Sequence, residues 1–429
     1  MPKSEPAGSG GGTPRLRTAN REQIEYRACA WNDLLPDDHQ ARIVWKYVEG
    51  LNLSPLREKI KAVEGRPGHP SIDPRILMAL WLYATLRGVG SARELARRCE
   101  DDLPFQWLCG GVSVNHHTLS DFRVGHEKFL DQTFTHSIAL LMEQELVTLD
   151  RVAQDGMKVR ASAGAASFRR RETLEKHLAE ARQQVEALKQ ELDADPAAAN
   201  RRQRAAKERA ARQRAERIAQ ALAQMPAVEA KKPAQEKDQA RVSTTDPDAR
   251  VMKMADGGFR PAYNVQLATD TQTQIITGVE VVNSGGDQGK LAPMVEQHEE
   301  RYDQRPDEML VDGGFAKKED ITSVSAGGTT VYAPVQKSKK EDLDPHTPRE
   351  TDTPAVAEWR QRMATPEAQE IYKQRAATAE CVNAIARNRG LGQFRVRGQP
   401  KARAIILWYV LAHNLMRVAA LRAEQATID

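Results

Sequence analysis

The chain has 429 residues, of which 40% are hydrophobic and 28% charged, with a formal net charge of +4. This predicts a soluble globular protein of two or three domains; no run of eighteen apolar residues predicts a membrane span. None of the four cysteines (Cys29, Cys99, Cys109, Cys381) forms a C-x-x-C pair, which argues against structural zinc and fits a reducing cytoplasm.

The first residues, "MPKSEPAGSGGGTPRLR", lack the apolar core of a secretory signal, and residues 1–20 read as a disordered tail. Residues 21–145 read as a helical domain. In "IDPRILMALWLYATLRGVGSARELARRC" Asp73 is placed to cap a helix that has Pro74 at its first position. Gly88 and Gly90 end that apolar helix, and Ser91 caps the next. "VSVNHHTLSDFRVGHEKFL" predicts a turn, a cap and a further helix with Leu119, Phe122 and Phe129 inward. Short helices with Arg93, Arg97, Arg98 and Arg123 facing outward suit helix-turn-helix DNA binding; the alternative is a plain helical domain with solvated arginines. Adjacent His116 and His117 are not expected to face one metal.

In "VTLDRVAQDGMKVRASA" a short strand around Val152 and Ala153 is expected to end on Asp155 and Gly156. Residues 167–226 then change character. Leu174, Leu178, Ala181, Val185, Leu188 and Leu192 step by four and three, as do Ala211, Ala215, Ile218, Leu222 and Met225. Two such seams broken at Asp195–Pro196 predict an antiparallel coiled-coil hairpin. Its second arm carries eight Lys or Arg between 201 and 217 against Glu208 and Glu216, which suits phosphate contact or a solvated face equally. Residues 227–240 read as a linker.

Strands are predicted at "PAYNVQLATD" and "QIITGVEVV", joined by a turn at Asp270–Thr273. A helix at "KLAPMVEQHEERY", a strand at "EMLVD", a helix or turn at "KKEDITSVSAG" and a strand at "TTVYAPV" follow. Residues 338–355 read as a loop, 355–386 as helical, and Arg403 onward as a long helix buried in the core. Residues 146–166 and 241–425 thus make one α/β unit. Its element order fits a ribonuclease H-like mixed sheet with flanking helices.

Asp155 and Asp312 both end apolar strands in this reading, and each precedes Gly. Strands in this order can lie side by side. Two carboxylates at adjacent strand ends repel unless a cation lies between them, and Mg²⁺ favours one or two carboxylates with water and phosphate oxygens. Asp312 could instead cap the following helix. A third acid would come from the C-terminal helices, where Glu358, Glu367, Glu370 and Glu380 stand. Glu380 shares a face with Asn383 and Arg387 at about 100° per residue, as a ligand with phosphate-binding neighbours or as a surface salt bridge with Arg387.

Four stretches in order, "VAQDGMKVRASA", "RPAYNVQLATD", "MLVDGGF" and "YKQRAATAECVNAIARNRGLGQFRVRG", together with the helical N-terminal region, resemble bacterial insertion-sequence transposases of the DDE type. The resemblance spans about residues 25–420. It implies a DNA transposase that cleaves and joins element ends by phosphoryl transfer, with Asp155, Asp312 and Glu380 as catalytic acids and metal ligands. It implies two Mg²⁺ ions per site, with Mn²⁺ able to substitute. Tyr372, Arg375, Glu380 and Arg387 match the family's Tyr–Arg–Glu–Lys signature, with Arg in place of the final Lys; a planar fork replaces a point charge there. Tyr372, Arg375 and Arg387, with Arg93, Arg97 and Arg123, are the expected DNA-binding residues. The implied partners are double-stranded DNA with terminal inverted repeats, target DNA and a second copy of the chain, in the bacterial cytoplasm and on no membrane. The alternatives are a DNA-binding protein derived from a transposase that no longer cuts, and a nuclease of the same fold.

Overall fold

The structure, a computed structural model, describes residues 22, 24, 28–63, 65, 70–194, 201–336 and 344–428. The expected tail over 1–20, the break at Asp195–Pro196 and the first part of the loop expected over 338–355 lie outside the described residues.

Seven helices, among the described residues, precede the sheet: α1 (Gln40–Glu49), α2 (Ser54–Arg57), α3 (Pro74–Leu86), α4 (Ala92–Asp101), α5 (Leu103–Cys109), α6 (His116–Gly125) and α7 (Glu127–Glu143). Their starts are written in capping side chains. Asp73 Oδ1 accepts from the Arg75 amide at 2.9 Å, Ser91 Oγ from Glu94 at 3.4 Å and Asn115 Oδ1 from Thr118 at 2.9 Å. Each such cap stabilises a helix by about 1 kcal/mol. Helix α3 is buried almost all round, from Ile76 to Ala84, as its unbroken apolar run requires.

The strands are β1 (Arg151–Arg160), β2 (Phe168–Arg169), β3 (Val242–Ser243), β4 (Arg250–Lys253), β5 (Phe259–Asp270), β6 (Ile276–Val282), β7 (Glu308–Leu310) and β8 (Thr330–Tyr332). Six of them form one mixed sheet in the order β4-β5-β1-β7-β8, with β6 also on β5. β1 runs antiparallel to β5 and parallel to β7, and β7 runs parallel to β8. The turn at Asp270 forms as expected, its carboxylate accepting from the amides of Gln272 and Thr273. The mixed α/β architecture is compatible with a ribonuclease H-like core. β1 departs from expectation in length: it does not end at Asp155 but continues five residues further, so Asp155 and Gly156 lie mid-strand.

Between β2 and β3, α8 (Arg171–Ala194) and α9 (Arg201–Glu229) pack against each other. They run antiparallel, since Arg171 at the start of one grips Glu229 at the end of the other at 3.0 and 2.7 Å. Leu174, Ala181, Ile218, Ala221 and Met225 form a small core with Ala240 and Val242, apart from the main one. α9 passes through Pro226 instead of stopping before it. The missing N–H costs a helix hydrogen bond, but the ring faces solvent one turn from the helix end. The stretch read as a linker holds a 3₁₀ turn at Ala234–Gln239 and then buries Ala240 against the hairpin.

The remaining helices are α10 (Leu291–Tyr302), α11 (Lys318–Ala326), α12 (Pro354–Met363), α13 (Pro366–Arg375), α14 (Cys381–Asn388) and α15 (Gln399–Ile428). The stretch Gln399–Ala426 of α15, read as buried core and as too interrupted by polar residues to span a membrane, is long and apolar enough to cross one; 56% of its most apolar window is buried inside the fold. α15 packs on α3, α7 and β6. Trp408 Nε1 donates to the carbonyl of Arg123 at 2.8 Å, and Asn414 pairs with both backbone groups of Ile276 on β6. Helices and sheet therefore share one hydrophobic core.

Candidate active site

Parallel pairing of β1 with β7 sets Val152 against Met309 and Ala153 against Leu310. Asp155 and Asp312 each follow two residues beyond that last pair, so the register carries them to the same level. After Leu310 the ladder continues only through the Val311 amide, which donates to Tyr332 at 3.0 Å, and the chain then turns at Gly313 and Gly314. Asp312 Oδ1 accepts from the Gly314 amide at 2.6 Å. This is a local side-chain turn and not a helix cap, because α11 starts later, at Lys318 after Lys317.

The carboxylate of Asp155 accepts three hydrogen bonds: from its neighbour Gly156 at 2.9 Å, from Arg375 Nη2 at 2.9 Å and from Asn383 Nδ2 at 2.8 Å. Arg375 Nη1 donates to Glu380 at 3.0 Å. One guanidinium thus bridges two acids that lie far apart in sequence. Asp155 and Arg375 are largely buried, whereas the Glu380 side chain is 56% exposed. Burial raises the Asp155 carboxyl above its ordinary value; Arg375 and the two N–H donors oppose this, and Asp312 adds to it. Burial works against the charge on Arg375, but Asp155, Tyr372, Asp312 and Glu380 together outweigh it and raise its pKa. Tyr372 is raised by burial, and Asp312 and Glu380 push it the same way. The two aspartates, the glutamate, Tyr372 and Arg375 therefore share one electrostatic neighbourhood.

A π-helical turn, Ala376–Glu380, joins α13 to α14. In a regular α-helix, residues five apart lie about 140° from one another. A π turn closes from i to i+5 and brings them onto one side, which is how Arg375 reaches Glu380. On α14, Asn383 turns in to Asp155 and is buried. Arg387 touches neither acid and lines the neighbouring cleft, so the shared face expected for Glu380, Asn383 and Arg387 divides between two places.

The other face of β1 holds residues that the sequence reading missed. Asp287 accepts from Asn264 Nδ2 at 2.7 Å and Gln266 Nε2 at 2.8 Å, and Gln154 donates to Gln266 at 3.0 Å. A Cβ on Gly156 would collide with Asp287 and lie 2.6 Å from Gln266. Gly156 is thus glycine for close packing inside the strand and does not mark the strand's end. The available signal was the pair of polar residues, Asn264 and Gln266, on one face of an otherwise apolar strand.

The expected DNA-binding arginines of the helical region divide. Arg93 is exposed and borders a hollow with His116, His117 and Arg395. Arg97 is exposed and held by Glu94 and Asp101. Arg123 does not face outward: it is buried, donates to the Gly90 carbonyl and stacks 4.9 Å over the Trp81 ring. Burial and nearby Arg395 push its pKa down to about 10. It follows Phe122 on the inward side of α6, and its long stem made that site tolerable. The rings of His116 and His117, in the first turn of α6, lie 4.1 Å apart.

Three carboxylates are hard oxygen donors of the kind a divalent cation takes, and Asn383 Oδ1 is buried beside Asp155 with no hydrogen-bond partner. The donor set thus fits such an ion in kind. Among the described residues no three acidic, imidazole or thiol groups stand close enough to share one ion in this arrangement; the Arg375 guanidinium lies between Asp155 and Glu380.

Two protein-family profiles match the chain. One is a transposase domain (DUF772) over residues 30–125, and the other a transposase DDE domain over residues 235–415. No curated protein and no solved structure matches significantly.

Proposed function

The chain is an insertion-sequence DNA transposase of the DDE type, and from that premise we propose that Asp155, Asp312 and Glu380 are the acids with which it cuts and joins the element's ends. The observation that carries this is the convergence itself. β1, the segment just after β7 and the π turn deliver one acid each to the neighbourhood of a single guanidinium.

DDE transposases generally depend on divalent metal. Held by the three acids, two Mg²⁺ ions, or Mn²⁺ in their place, would neutralise charge on the attacking and departing oxygens of the phosphodiester. The chain's own residues do the rest. Asn383 and the Gly156 amide fix the orientation of the Asp155 carboxylate. Arg375 serves as its counter-charge and, when it swings away from Glu380, presents two parallel N–H donors to a phosphate. Tyr372 borders the same spot and packs near the DNA end, and Arg387 holds backbone in the adjoining cleft. Residues 21–145 bind the terminal inverted repeats as a helical DNA-binding domain, with Arg93 and Arg97 outward. Arg123 holds those helices together and is not itself a DNA contact. The hairpin is a coiled-coil arm that contacts flanking DNA or a second subunit, and pairing two ends with target DNA requires at least a dimer. The site acts in the cytoplasm, where bacterial DNA lies.

Asp155→Asn, Asp312→Asn and Glu380→Gln should each abolish Mg²⁺-dependent cleavage of cognate ends while DNA binding survives. Full activity in any one variant removes that residue from the site. The ion pairs from Arg375 to Asp155 and Glu380 are the observation that favours the second reading, a DNA-binding derivative that no longer cuts. Binding without cleavage in either Mg²⁺ or Mn²⁺ would establish it, and strand-transfer products would exclude a simple nuclease.

A further inference from the structure

On the face of β1 opposite the Asp155 side chain, beginning at Gly156, a cleft of about 730 Å³ is lined by five cations. Lys158 and Arg160 come from β1, Lys253 from β4, Arg260 from β5 and Arg387 from α14. Asp256 is the acid on the lining, paired with Arg260 at 2.8 Å; Asp287 approaches Lys158 at 3.9 Å from below. Arg160, Lys253 and Arg387 are exposed and make no ion pair among the described residues. Arginines elsewhere, such as Arg97, Arg98, Arg212 and Arg305, each have a carboxylate partner. Like charges gathered from three parts of the chain repel one another, and a polyanion removes that cost.

The rest of the lining says how a polyanion would be held. It carries no aromatic side chain, so there is no platform on which bases could stack. Gly392, with open space where a Cβ would stand, leaves the main chain there open to close approach. The four steps of β1 from Gly156 to Arg160 cover about 13 Å at roughly 3.3 Å per residue. That length matches about four base-pair steps along a duplex axis, at roughly 3.4 Å of axis per phosphate of one strand.

We propose that this cleft grips the sugar–phosphate backbone of the DNA running away from the scissile bond, over about three to five phosphates, by charge and without reading bases. Which DNA occupies it rests on the transposase reading of Asp155; that it binds backbone does not.

The test is the salt dependence of binding by the Arg160→Gln/Lys253→Gln double variant. Anisotropy titrations would use the full chain, a duplex of scrambled sequence and a single-stranded oligothymidylate, at several KCl concentrations. Each lost phosphate contact flattens the plot of log affinity against log salt by about 0.9 for duplex and about 0.7 for single strand. The expected change is therefore about 1.8 in the duplex arm or about 1.4 in the single-strand arm, and the arm that responds identifies the form of DNA held. Unchanged slopes in both arms overturn the proposal. Both side chains are exposed and make no ion pair among the described residues, so the melting temperature should not move; if it does, Lys253→Gln alone, with about half the change, decides. Asp155→Asn run in parallel separates the two ideas. Cleavage retained in that variant would defeat the catalytic assignment and leave the cleft result standing.

Discussion

Arg375 holds the candidate site in its present form. Its two terminal nitrogens engage Asp155 and Glu380, and its burial makes those partners necessary, since an unpaired buried guanidinium is costly. Buried charge elsewhere is handled differently. His298 on α10 is fully buried and neutral: its Nδ1–H donates to the Met294 carbonyl at 2.8 Å, and its Nε2 accepts from the Thr277 hydroxyl at 2.9 Å. Burial pushes its pKa from 6.5 down to about 4, and His413 on α15 behaves alike. Because the folded-state value is depressed, the unfolded chain holds more protons between about pH 6.5 and about 4. Stability is therefore complete above that window and falls as pH drops through it, by on the order of 3 kcal/mol per histidine. Urea midpoints measured across this range should decline steeply for the native chain and less so for His298→Gln, which keeps an amide in place of the ring. Equal slopes would remove His298 from the account.

Among the elements, the helical hairpin stands most apart. Its core is separate from the main one, and its two ends meet where Arg171 grips Glu229. Cutting out residues 178–222 and joining the stubs with a short Gly-Ser turn leaves the base of Leu174, Met225 and Val242 intact. The main fold should then melt within a few degrees of the native chain, while affinity for DNA at low salt falls with the loss of the basic arm. Collapse of the main transition would show that the hairpin is structural. The hairpin was legible in the sequence because a four-three apolar rhythm depends only on local spacing. The length of β1 was not, because Gly156 carries the signal of a break while the strand is held by Asp287, Asn264 and Gln266 from elsewhere. Nor was the π turn, since nothing in "RAATAE" distinguishes one extra residue per turn from a regular helix.

Across the whole molecule, α15 joins the N-terminal helices to the sheet. Trp408 packs near Phe122 and donates to the Arg123 carbonyl, and Asn414 pairs with Ile276 on β6. The N-terminal helices and the sheet, for which we propose separate roles in DNA binding and catalysis, are thereby expected to unfold as one. Trp408→Ala should cost about 3–5 kcal/mol, and hydrogen exchange should show α3 and β5 losing protection together. Loss confined to the helices would mean that the two regions fold independently.

The sequence by itself named the candidate acids, and it determined the caps, the helical hairpin and the chain order of five of the six strands of the main sheet, because these follow from residue chemistry and from periodicities of a few residues. It also carried the family, through four short motifs in order. Only the tertiary structure decided that Asp155 lies inside a strand, that Arg375 and not Arg387 bridges the acids, that Arg123 is buried, and that five cations from three parts of the chain line one cleft. Each of those depends on which distant residues meet, and contacts between strands and helices far apart in sequence leave no periodic mark along the chain.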